Sequence, residues 1–222
     1  MAIAYVTGKV LSIEAKRANG QDLAELTLEV QKYGDNTFRL GVVAWGEHRN
    51  LVLDAVRKDD IVQVTAEPYT DEWPVNADIP DGPKNSKLAL RLRDQAEAEA
   101  SNPDTCFSLV KVDADPGINE VHLSGEVRFL GEVETLGAKP VRRAFVAVPL
   151  PRRDGTLSNW SFPIRLRAGF AEKATPETVG RGVSVSLVGT IENDFWKDKD
   201  GGANRYEGRV VVAAKGHKFA KA

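Results

Sequence analysis

The sequence predicts an all-β chain of two tandem five-stranded barrels, each with a short helix between its third and fourth strands. Three observations carry this: ten strand-like runs, one helical stretch in each half, and the same order of runs in both halves. The first half offers Tyr5–Ile13, Leu23–Gln31, Phe38–Trp45, Ile61–Glu67 and Leu88–Arg93, alternating or β-branched and bounded by Gly, Asn, Asp or Pro. The second offers Val121–Val133, Ala144–Leu150, Trp160–Arg167, Val183–Ile191 and Glu207–Ala214. Between the third and fourth runs lie Glu47–Lys58, with Leu51, Val52, Ala55 and Val56 near helical spacing, and Gly169–Val179, which Pro176 interrupts.

The halves can be matched residue by residue. Val6-Thr7-Gly8-Lys9-Val10 aligns with Leu123-Ser124-Gly125-Glu126-Val127, and a shift of 123 aligns Val62, Val64, Ala66, Asp71 and Trp73 with Val185, Leu187, Gly189, Asp194 and Trp196. Identities are few, but apolar phase, glycine placement and the terminal Trp agree. Three strands, a helix and two strands is the order of the OB fold, a five-stranded Greek-key barrel. Gly8 and Gly125 fit a first strand that bends sharply to serve both sides of a barrel. An immunoglobulin-like sandwich would show seven strands and no helix in that slot. The expected organisation is a first OB domain over 1–95, an acidic linker over 96–118, and a second OB domain over 119–222 that ends in a short basic tail. The linker's Cys106-Phe107-Ser108-Leu109-Val110 stretch is apolar enough to dock on a barrel.

Composition is that of an ordinary globular protein, 42% hydrophobic and 28% charged. No run approaches the ~20 apolar residues of a membrane span, and the first residues lack the pattern of a signal peptide. A single cysteine, Cys106, excludes an internal disulfide framework and reads as a small buried side chain. A cytoplasmic protein without membrane association is expected. Residues 1–95 carry 12 Lys/Arg against 15 Asp/Glu, the linker 1 against 5, and residues 119–222 carry 17 against 12. The basic second half points to a polyanion.

Single-stranded nucleic acid offers every base as a π-face and every linkage as a negative charge. A binder therefore needs aromatics at base spacing and Lys/Arg along the backbone track, with stacking worth about 1–3 kcal/mol per base. The second half supplies both. Trp160, Arg165 and Arg167 share its third run, and alternation sets Phe162, Ile164 and Leu166 on one face and the two arginines on the other, toward solvent. Trp160, at the start of the run beside a turn, can serve either face. Arg142 and Arg143 begin the second run, and Arg152 and Arg153 form the turn before the third. Lys197, Lys199 and Arg205 ride the last hairpin with Trp196 and Tyr206, and such hairpins frame the OB binding surface. The first half contributes Trp45, Trp73, Arg91 and Arg93. Its matching hairpin, from Tyr69 to Asp81, is acidic, while Arg91 and Arg93 alternate with Leu90 and Leu92 as a basic outward edge.

Asn119-Glu120-Val121-His122-Leu123-Ser124-Gly125 and Phe195-Trp196-Lys197-Asp198-Lys199-Asp200-Gly201-Gly202, followed by Arg205-Tyr206, resemble the bacterial single-stranded DNA-binding protein family. Its members open on an Asn-x-Val-x-Leu-x-Gly strand and often carry a Trp-x-Asp-Lys-x-Gly hairpin. The resemblance covers about 119–214 in pattern and extends more loosely to the first half. It implies a two-barrel, tandem version of the family, phage or plasmid encoded by its simplified basic C-terminus. It also implies a homodimer that coats single-stranded DNA in replication, recombination and repair, with RNA left open as a ligand and replication or recombination proteins as partners. The family's acidic tip is replaced here by the basic 215–222, for which added phosphate contacts are expected.

Other signals carry no site. Asp198, Asp200 and Glu207 would need Trp196 as the first ligand of a calcium loop, which it cannot be. Gly180-Arg181-Gly182 lacks the Lys-Ser/Thr of a phosphate loop. His48, His122 and His217 are dispersed and lack zinc spacing. No catalytic centre and no cofactor are expected. The competing reading is an OB-fold adaptor or structural module for other proteins, which would account for the acidic first half.

Overall fold

Two facts of backbone chemistry shape this chain: strands alternate their side chains between faces, and a strand that serves two sheets must bend without clashing. The computed structural model describes residues 1–222 apart from 19, 33–35, 78–80, 82–83, 94–105, 114–116, 152–155, 199–201 and 214–215. The first barrel runs β1 (Ala2–Ala18), β2 (Gln21–Gln31), β3 (Thr37–Ala44), α1 (Gly46–Ala55), β4 (Ile61–Pro74) and β5 (Lys84–Leu92), followed by a short β6 (Ser108–Lys111). The second runs β7 (Asn119–Leu136), β8 (Lys139–Pro151), β9 (Leu157–Arg167), α2 (Gly169–Lys173), α3 (Pro176–Val179), β10 (Ser184–Lys197) and β11 (Asn204–Val212), followed by β12 (Lys218–Lys221). Both are OB folds.

Each barrel closes in the same way. β1 pairs antiparallel with β2 and, through its first half, with β4, while β3 and β5 close in parallel with Val42 opposite Leu90. In the second barrel β7 pairs with β8 and β10, and β9 meets β11 in parallel with Ile164 opposite Val210. The cores are the in-phase apolar positions. Val6, Leu28, Leu40, Val42, Val64 and Leu90 are buried in the first barrel, and Val127, Val146, Phe162, Ile164, Leu187 and Val210 in the second.

The repeat extends to irregular features. β1 and β7 each carry a β-bulge directly after matching valines, between Val10 and Ser12 and between Val127 and Phe129. The bends need glycine at matching places. A Cβ on Gly8 would lie 3.0 Å from the Glu29 carbonyl oxygen, and one on Gly125 would lie 2.2 Å from that of Ala147. The turn leading into the fourth strand is also shared. Asp59 (φ 72°) donates its N–H to the Val10 carbonyl at 2.8 Å, and Gly182 (φ 88°) donates to that of Val127 at 2.8 Å. Gly180-Arg181-Gly182 is thus this turn.

α1 ends at Ala55, three residues before the sequence suggests. Val56 is already extended, and the Arg57 guanidinium takes the carbonyls of Leu53, Asp54 and Val56 that a longer helix would have used. Pro176 splits the second helical stretch into α2 and α3, as its missing N–H requires.

Sequence reading does not foresee the sixth strands. β6 lies along β4 with Leu109 opposite Val64 and Lys111 opposite Val62, and β12 lies along β10 with Phe219 opposite Leu187 and Lys221 opposite Val185. The positions met on β4 and β10 are the same after the shift of 123. The middle of the acidic segment and the end of the basic tail are therefore equivalent edge strands. Cys106, just before β6, is exposed rather than buried, while its neighbour Phe107 is buried.

By packing, Met1–Tyr69, Ala89–His122 and Pro149–Asn159 form one unit, and Thr70–Leu88, Leu123–Val148 and Trp160–Ala222 form the other. Within the second unit, the Asn193 carboxamide acts as a substitute peptide group. It accepts from Leu88 N–H at 2.8 Å and donates to the Leu88 carbonyl at 2.9 Å. Asn85 accepts the Tyr206 N–H at 2.9 Å. A Cβ at position 208 would lie 2.2 Å from Leu88 N, so only glycine admits this approach.

Candidate nucleic-acid interface

The outer face of the second barrel follows from strand register. On β8, Ala144, Val146, Val148 and Leu150 face the core, which leaves Arg143 and Phe145 outside and exposed. On β7, Val127 faces the core, and regular alternation would bury residue 129 as well. The bulge inserts Arg128 and reverses the phase, so Phe129 stands opposite Phe145. Their rings lie 5.9 Å apart at 54°, with 48% and 40% of each residue exposed. Burying such a pair in the core would remove far more apolar surface from water, so its exposure makes this face the candidate contact surface.

Beyond β8 the same face carries Arg165 and Arg167 on β9, Arg209, Glu207 and Arg205 on β11, and Glu192, Asp194 and Trp196 on β10. Its centre is a network of charges. Arg209, 3% exposed at its side chain, contacts Asp194, Glu207 at 2.9 Å and Glu192 at 3.6 Å. Arg165 pairs with Glu207 at 3.1 Å, and Arg167 with Glu192 at 3.3 Å. Burial first, then the nearby cation of Arg209, push the Arg165 guanidinium below the usual arginine range, while Glu207 opposes them. Arg143 adds its field to the same site and makes no ion pair among the described residues.

The sequence candidates divide accordingly. Trp196 is 42% exposed and sits opposite Arg205, which lies 3.9 Å from Asp198. Lys197 is exposed at the end of β10. Arg165 and Arg167 leave the core face as alternation requires, but they do not point freely to solvent, because the carboxylates of β10 and β11 hold them. Arg142 is buried and donates to the Ala174 carbonyl at the end of α2. Trp160 is half-buried, in phase with Phe162, Ile164 and Leu166. Tyr206 lies on the opposite face of the hairpin from Trp196. Its ring is 4.9 Å from Phe195 and 5.5 Å from Trp73, over which Lys87 stands at 5.8 Å. Arg152, Arg153 and Lys199 lie outside the described residues.

In the first barrel, Trp45 is half-buried at the entry to α1, where its carbonyl accepts the Arg49 N–H at 3.2 Å. Arg91 and Arg93 do not form a basic outward edge. Both turn onto Glu67, which is buried, and Arg93 lies 3.7 Å from its carboxylate. A buried carboxylate demands such partners, so these arginines are committed to the fold. No cluster of three or more metal-ligating side chains occurs among the described residues.

Phe129 and Phe145 are the residues that sequence reasoning missed. Phe145 was visible as an off-phase aromatic beside Arg143. Phe129 was not, since its phase depends on the bulge.

No family model matches the chain, and no curated protein matches it. Solved structures do. The single-stranded DNA binding protein from Thermus aquaticus superposes with a TM-score of 0.66 at 14% identity, covering 100% of this chain and 93% of that one. A deletion variant of the same protein gives 0.66 and 14%, with 94% of its chain covered. A Plasmodium falciparum protein of the same name, in complex with single-stranded DNA, covers 49% of this chain at 13% identity with a TM-score of 0.43. The likeness to the Thermus aquaticus structures, over the whole chain, is one of fold.

Proposed function

We propose that this chain binds single-stranded DNA without regard to base sequence, on the outer face of its second barrel. The observation that carries the reading is the exposed Phe129–Phe145 pair beside Arg143, with Trp196 and Arg205 at the other side of the same face. Aromatics give bases of any identity a stacking platform, and the arginines attract the backbone. The names of the Thermus aquaticus proteins that share the fold agree with it. On this reading the chain coats strands exposed in replication, recombination and repair and works as a cytoplasmic homodimer, with RNA open as a second ligand. The test is a titration of oligo-dT followed by intrinsic Trp fluorescence at several salt concentrations. Quenching by base stacking, lost on Trp196→Phe, is expected, with an affinity that falls steeply with salt because bound phosphates release counterions. Unchanged fluorescence and no binding at low salt would rule the reading out.

A further inference from the structure

The central charge network does not resemble a surface waiting for phosphate. Its three arginines, Arg165, Arg167 and Arg209, are matched by three carboxylates, Glu192, Asp194 and Glu207, so this part of the face is neutral on its own. The carboxylates are not equivalent. Glu192 is 3% exposed at its side chain and sits between Arg167 and the buried Arg209, a buried carboxylate that itself needs both cations. Glu207 and Asp194 are each 33% exposed at the side chain and both contact Arg209. Glu207 serves Arg165 and Arg209, and Asp194 serves Arg209.

We propose that Glu207 and Asp194 occupy the anion-binding positions of Arg165 and Arg209 in the free protein and yield them to the phosphates of a bound strand. Glu192 stays in place as the fixed counter-ion. This rests on the reading of the second barrel as the single-strand site and adds what regulates it. The two carboxylates act as built-in competitors. A guanidinium donates to a carboxylate or a phosphate oxygen alike, and each contact of Glu207 and Asp194 here runs through a single oxygen, so the exchange requires side-chain rotation only. Competition of this kind leaves a distinct ionic signature. When a phosphate takes the arginine, the DNA loses a cation, but the displaced carboxylate attracts one back, and net ion release falls short of the number of contacts.

The experiment titrates oligo-dT against the full chain and its Glu207→Gln and Asp194→Asn variants, across salt, with thermal melting by circular dichroism as a check of folding. Glu207→Gln is expected to bind about three- to tenfold more tightly, the scale of one half-exposed charge contact, and Asp194→Asn somewhat less so. Each is expected to steepen the slope of log affinity against log salt by up to about one. Should Glu207→Gln fail to fold, Asp194→Asn decides the matter by the same readout. If the wild-type chain binds and the folded variants bind equally or more weakly with an unaltered slope, the competitor proposal is overturned while the binding reading stands. If the wild-type chain does not bind at low salt, both fall.

Discussion

The two barrels share a fold, including a bulge in the first strand, and differ on one face, where β7 adds a second irregularity between Leu130 and Val133. Each first strand is bulged after a matching valine, so the residue pairs that follow the bulge can be equated. In the first barrel that pair is Ser12 and Thr27, with Glu25 two residues along β2. In the second it is Phe129 and Phe145, with Arg143 two residues along β8. The first barrel then adds Glu14 and Lys16, and Lys16 bridges Glu14 at 3.1 Å and Glu25 at 2.5 Å. Its face is polar and its charges satisfy one another. The second exposes two aromatic rings and an arginine at the same positions. The bulge, the bend glycine and the turn at Asp59 or Gly182 are what the barrel needs, and both halves keep them. The face is what the proposed ligand would need, and among the described residues the two halves differ there.

The largest effect is expected from removing that difference. Phe129→Ala with Phe145→Ala gives the second barrel the bland character of the first, and oligo-dT affinity is expected to fall about 10- to 100-fold. The matching change of Ser12 and Thr27 to alanine is expected to leave affinity unaltered in the same titration. Arg143→Glu copies Glu25 onto the second barrel. A loss of about tenfold is expected, with a salt slope shallower by about one, as for one lost phosphate contact. The reverse transplant, Thr27→Phe with Glu25→Arg, is expected to create only a weak added site, about threefold or less in overall affinity, because the neighbouring carboxylates remain.

How far the sequence shows these features depends on how local they are. Strand order, the bend glycines and the shift of 123 are local patterns, and from them both barrels and both helical stretches can be read. β6 and β12 are four residues each and owe their strand character to an edge they pair with, so Ser108–Lys111 reads as linker and Lys218–Lys221 as tail. On the candidate face, Trp196 and Arg143 are legible from hairpin position and alternation. Phe129 is hidden because one inserted residue reverses the phase. The fates of Arg165 and Arg91 are hidden because their acidic partners stand 42 and 24 residues away along the chain.

The smallest effect concerns the first barrel's edge. A hydrogen bond from Lys111 of β6, and next one from the Arg57 N–H, hold the Asp60 carboxyl below its usual range. A depressed folded-state value stabilises the fold above the unfolded value of about 4, and that stabilisation is lost as the pH falls through the folded value. Asp60→Asn is therefore expected to flatten the acid limb of the stability curve slightly, as chemical denaturation at pH 2–5 would show (the pH range being set by roughly that carboxylate value).

The central claim, that one face of one barrel carries the binding, is tested most directly by photo-crosslinking. An oligo-dT strand containing a halogenated uracil, irradiated with the full-length chain and mapped by mass spectrometry, is predicted to attach at Phe129, Phe145 and Trp196. Attachment centred on Trp45 or on the β1–β2 face of the first barrel would contradict it.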